Sequence, residues 1–161
     1  MLIWLLLLVL IGLVGGLAWF IHRIRRQRAM RILQSSSQET VDEIVNIAYQ
    51  RLLTAQPQFY TQQATLIANS PTEVWGGNVM LFEYRVNVLR TDMSLKPITE
   101  TLEQTLNEVA DERRIASVNP KYPALVITDA WLLDQDYHFD VAFIVNRETI
   151  EYVKDMARVM D

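Results

Sequence analysis

The chain opens on twenty-one residues without a polar interruption, MLIWLLLLVLIGLVGGLAWFI, and only afterwards alternates between apolar and polar positions. At ~1.5 Å per residue such a helix is about 31 Å long, the thickness of a bilayer's hydrocarbon core. The pattern predicts a transmembrane helix over residues 1–21. Trp4 and Trp19 stand near its ends as interfacial aromatics do. A secretory signal peptide fits less well, because no basic residue precedes the run and Phe20 and Ile21 occupy the place of a small-residue cleavage site.

Periodicity then defines a second region. Residues 34–38 are rich in Ser and Gln and read as a hinge, and Ser36 with Glu39 forms a capping box that starts a helix. Val41, Ile44, Val45, Ala48 and Leu52 recur at helical spacing until Pro57 interrupts. Residues 58–69 show no clear period and are read as a short helix, and Ser70-Pro71-Thr72-Glu73 as one further capped turn. Trp75-Gly76-Gly77-Asn78 marks a turn; it lacks the Lys and the spacing of a phosphate loop. Over residues 79–89 the period becomes two, with Met80, Phe82, Tyr84, Val86 and Val88 on one face of a half-buried strand.

Ser94 precedes a helix whose stripe is Ile98, Leu102, Leu106, Val109 and Arg113, with Pro97 tolerable in its first turn. Two β-rich runs, 124–133 and 137–146, flank Asp134-Gln135-Asp136 and predict an antiparallel hairpin. A three-residue loop gathers the apolar set best, placing Trp131 opposite Phe139, Asp129 opposite Val141 and Ile127 opposite Phe143. Asn146 can cap a last helix to about Met160.

The expected fold class is therefore α+β: an N-terminal transmembrane helix followed by a two-layer domain with a three-stranded sheet, in the order helix, strand, helix, strand, strand, helix. Three parts are expected: a transmembrane anchor (1–21), a basic juxtamembrane segment with the hinge (22–38) and an acidic domain (39–161). The order of elements resembles that of ring-building domains in secretion and sporulation machines and, less closely, of some small nucleic-acid-binding folds. That likeness is one of element order alone, and function does not follow from it. It implies the alternative of an envelope-side component of a membrane assembly.

Charge sharpens the division. Residues 1–21 carry none, whereas Arg23, Arg25, Arg26, Arg28 and Arg31 follow with no acid among them, a net +5. The remaining ten bases face all nineteen acids, a net −9 that brings the whole chain to −4. The arginines can rest on anionic lipid headgroups at ~1 kcal/mol each. By the positive-inside rule they place the N-terminus outside and the following domain in the cytoplasm, as a single-pass cell-membrane protein, in a bacterial style. An acidic domain is poorly suited to nucleic acid, whose phosphates call for clustered Lys and Arg. The absence of Cys excludes disulfides, thiolate nucleophiles and Cys-type metal sites.

Within the apolar run, Gly12 and Gly16 lie four apart and leave one helix face smooth enough for a second backbone, a helix–helix contact of the GxxxG kind. Asp129 breaks the rule of its strand, being a carboxylate among Leu125, Ile127, Trp131 and Leu133. A buried acid needs a donor such as Arg113 or Tyr84, or serves a function. His138 and Asp140 share the opposite face two residues apart and read as a solvated strand face. His22 is the only other histidine, so no His cluster for a metal exists, and no cofactor, metal or catalytic set is expected. These features predict a non-enzymatic membrane protein whose domain docks a protein partner or self-associates. The alternative is a ligand-sensing or enzymatic domain using Asp129.

Overall fold

The computed structural model describes residues 2–61, 66–69 and 78–160, and within them all side chains except those of 2–11, 18, 26–31, 69 and 159–160. The chain forms two compact units, Met1–Ser36 and Ser37–Asp161. The elements are helix α1 (Leu2–Ala55), strands β1 (Ile67–Asn69) and β2 (Leu81–Asn87), helix α2 (Leu95–Glu112), strands β3 (Leu125–Leu133) and β4 (Asp136–Phe143), and helix α3 (Arg147–Met160).

The α+β class holds, and three expectations are corrected. The first concerns the membrane. Among the described residues no helix is long and apolar enough to cross a membrane, which overturns the transmembrane helix expected at 1–21. Within that run the side chains of 1–11 and 18 lie outside the described residues. Arg23 and Arg25 follow directly in the same helix. The hinge is also helical: Ser35 Oγ donates to the Ile32 carbonyl at 3.0 Å, a back-bond that lets serine sit inside a helix. Ser36 therefore starts nothing.

The second correction is the sheet, which has four antiparallel strands in the order β1-β2-β4-β3 rather than three. The extra strand, β1, lies where a short helix was expected. Its Ile67, Ala68 and Asn69 pair with Arg85, Tyr84 and Glu83; three residues are too few to show a period, and pairing with β2 makes them a strand. The capped turn at 70–73 and Trp75-Gly76-Gly77 lie outside the described residues.

Third, helices cover both sheet faces, so the domain is not two-layered. On one face Phe82, Tyr84, Val86, Tyr137, Phe139 and Val141 are at most 2% exposed. Over them lie Val41, Ile44, Val45, Ala48 and Leu52 of α1 and Ile98, Leu102, Leu106 and Val109 of α2, all buried. Tyr84 donates its hydroxyl to Asp42 of α1 at 2.6 Å, and the Tyr137 hydroxyl meets that of Thr99 on α2 at 2.9 Å. On the opposite face a smaller cluster joins Leu81 and Ala142 to Ile144, Ile150 and Val153, with Val126 and Tyr152 at its margin. That cluster seats α3. Asn146 caps this helix as expected, its Oδ1 accepting from the Thr149 N–H at 2.8 Å. Thr149 Oγ1 in turn accepts from the Met80 N–H at 3.0 Å.

The hairpin turns in two residues, with Leu133 opposite Asp136 and Asp134 at φ 56°, the left-handed region that Asp tolerates. A β-bulge then interrupts the register between Ile127 and Asp129. It offsets the alternation by one residue, so Leu125 and Ile127 share a face with Ala130 and Leu132, while Asp129 and Trp131 turn to the other. The expected three-residue loop is thereby corrected: Trp131 faces His138, and Asp129 faces Asp140.

Candidate functional site

Strand order brings unusual chemistry together on the second face. β4 lies between β2 and β3, with Glu83 paired to Asp140 on one side and Asp129 paired to Asp140 on the other. Three carboxylates therefore stand in one row across three strands. Like charges directly opposite destabilise a sheet, so such a row departs from ordinary sheet design. In the neighbouring row Arg85 faces His138 and His138 faces Trp131.

Each side chain has a distinct environment. The Trp131 and His138 rings stack with centroids 5.0 Å apart and planes 13° from parallel. Under that stack His138 is only 9% exposed, not the solvated residue expected. Its Nδ1 lies 3.5 Å from Glu83 Oε1 but makes no hydrogen bond, and Asp140 Oδ1 is likewise buried without a hydrogen-bond partner. Arg85, the nearest cation of β2, is turned toward Asp136 at 3.6 Å. Burial, and then the carboxylates of Glu83 and Asp129, push the Asp140 carboxyl up to about 6. On α3, the Tyr152 hydroxyl is pushed up by burial and feels Thr128, Asp140 and Asp129.

The expected site residues fare differently. Asp129 is exposed, and its Oδ1 accepts from the Ala130 N–H at 2.8 Å; the bulge has moved it out of the apolar face. Neither donor suggested for it comes near, because Tyr84 binds Asp42 and Arg113 binds Glu43 at 2.5 Å. The acid that is withdrawn from water is Asp140, which strand-by-strand reading missed. Its signal lay only in the pairing of β2 with β4, two strands not adjacent in sequence.

In the N-terminal unit, Trp19 is 63% exposed, and the Arg23 guanidinium lies 5.5 Å from its ring centroid, within cation–π range. Arg25 is exposed, and the side chains of Trp4, Arg26, Arg28 and Arg31 lie outside the described residues. A Cβ built on Gly12 or Gly16 meets nothing within 4 Å. Among the described residues no group of three or more His, Cys, Asp or Glu side chains could hold a metal ion.

Comparison of the chain with protein-family models, with curated proteins and with solved structures finds no match in any of the three.

Proposed function

We propose that this chain is a non-catalytic docking protein held at the cytoplasmic leaflet of an anionic membrane by the N-terminal part of α1, leaving its acidic domain to engage a protein partner or a second copy. One observation carries the reading. Leu13, Val14, Leu17, Trp19 and Phe20 are each more than half exposed, more contiguous apolar surface than water tolerates without a partner. The arginines that follow supply the attraction to anionic headgroups that such a surface needs for stable attachment. The domain's net −9 opposes its own adsorption to the same lipids, which keeps it available to other proteins. The smooth face at Gly12 and Gly16 suits a second copy of the helix.

Flotation of the full chain with vesicles tests this. The protein is expected to float with phosphatidylserine-containing vesicles, to float less in high salt, and to lose the preference for anionic lipid when Arg23, Arg25, Arg26, Arg28 and Arg31 are all changed to Gln. Failure to float with either vesicle, or equal flotation of parent and variant with both, would overturn it.

A further inference from the structure

We propose that Asp140, paired across the sheet with the carboxylates Glu83 and Asp129 and preceded on its strand by the buried His138, is a proton-binding site that ties α3 more tightly to the sheet as the pH falls. This rests on the second sheet face alone and is independent of the membrane reading.

The row Glu83, Asp140, Asp129 consists of acceptors only while its members are ionised, and an acceptor-only row in direct register repels itself. Two buried atoms within this group, Asp140 Oδ1 and His138 Nδ1, lack hydrogen-bond partners, and buried groups of that kind call for an explanation. A metal ion does not supply it among the described residues. Both atoms are closed to solvent, which leaves no open path for an ammonium or guanidinium from outside. A proton needs no such opening. Taken from water, it converts the Asp140 carboxylate into a neutral carboxyl with one O–H donor, where the row had none, and removes one of three like charges.

The charged and titratable groups around Asp140 come from every neighbouring element. They are Glu83 and Arg85 on β2, Asp129 on β3, His138 on β4 itself and Tyr152 on α3. Arg85 is turned to Asp136 and does not relieve the row. Of these groups Tyr152 belongs to α3, and it packs at the margin of the cluster that contains Ala142, two residues along β4 from Asp140 on the same face. The start of α3 is fixed independently by Asn146 and Thr149. Beyond it the helix rests on the small apolar cluster with Ile150 and Val153. The end of that cluster beside Tyr152 is the part a charge on the row can loosen.

The test is hydrogen exchange of the full chain in detergent, followed by mass spectrometry, with rates corrected for the intrinsic pH dependence of exchange. Protection of the α3 amides is expected to rise by up to about fourfold as the pH falls from about 7.5 to about 5.5, while α2 amides change little. Asp140→Asn, which keeps the side chain neutral, is expected to show the acid-level protection at both pH values. Flat α3 protection in the parent chain, α2 changing in step with α3, or a parent-like slope in Asp140→Asn would each overturn the proposal. Should Asp140→Asn fail to fold, Glu83→Gln decides. It removes a carboxylate facing Asp140, so the midpoint of the α3 transition moves to lower pH, and an unmoved midpoint overturns the proposal.

Discussion

The two faces of the sheet are built on opposite terms. Under α1 and α2, large side chains fill the space, Tyr84 reaches Asp42 and Tyr137 reaches Thr99, and the one buried tyrosine hydroxyl there without a hydrogen-bond partner among the described residues, that of Tyr60, is uncharged. Under and beside α3 the apolar contribution is small, and next to it lie the row of carboxylates and two buried polar atoms without hydrogen-bond partners, Asp140 Oδ1 and His138 Nδ1. A well-packed face resists change because each lost methylene is felt. A face with a small apolar cluster and a buried ionisable carboxyl is held by less and responds to what the solvent supplies, a proton above all. The sheet thus combines a structural side with an adjustable one.

The largest expected effect tests that contrast directly. Leu106 is fully buried between α2 and the sheet, and Leu106→Ala should lower unfolding stability by about 3 kcal/mol. Ile150 retains 7% exposure in the smaller cluster, and Ile150→Ala should cost about 1.5 kcal/mol less, because a helix at the margin can settle over the void. Urea denaturation of both variants decides it; an equal or larger loss for Ile150→Ala would reverse the ranking of the two faces.

Much of the structural face was legible in the sequence. The stripe Ile98, Leu102, Leu106 and Val109 and the alternation Phe82, Tyr84, Val86 and Val88 are local periodicities, and each is buried as its period requires. Asn146 was legible as a cap for the same reason, since a capping residue acts within three positions. The adjustable face was not legible. Trp131 and Leu133 look like continuations of Leu125 and Ile127 until a bulge at Thr128 offsets them, and nothing local requires that bulge. The row Glu83, Asp140, Asp129 depends on which strands are neighbours, a property of the whole sheet. The apolar run at 1–21 misled in the other direction: its composition suggested a crossing element, whereas α1 continues through the arginines and the serines to Ala55.

A smaller effect is expected at the rim that joins the two faces. β3 is an edge strand, and α2 covers part of that edge with side chains that imitate a further strand. Asn107 Nδ2 donates to the Leu125 carbonyl at 2.8 Å while its Oδ1 accepts from the Leu125 N–H at 3.0 Å. Glu103 Oε2 accepts from the Ile127 N–H at 2.6 Å, and burial, partly offset by this bond, holds the Glu103 carboxyl above its ordinary value. Open edges invite pairing with another chain. Asn107→Ala should therefore cost about 1–2 kcal/mol in stability and expose the edge. Light scattering of the chain in detergent is expected to show new concentration-dependent association, and unchanged size at all concentrations would show that Asn107 does not guard it.

The smallest effect separates the two acids that flank Asp140. Asp129 is exposed, so Asp129→Asn should change stability by less than about 0.5 kcal/mol. It should nevertheless move the titration of its neighbour. Burial is the main cause that raises Asp140, followed by Glu83 and then Asp129; removing either negative charge makes ionisation of Asp140 easier and lowers its midpoint from about 6. Because the folded-state value is raised, the stability linked to Asp140 is fully present below the unfolded value of 3.8 and is lost as the pH rises through about 6. In Asp129→Asn that loss should begin at lower pH, and in Glu83→Gln at lower pH still. Carbon-detected NMR titration of the Asp140 carboxyl measures the order of the three midpoints. A midpoint in Asp129→Asn equal to that of the parent chain would mean that the bulge, by turning Asp129 toward water, has already removed it from the row.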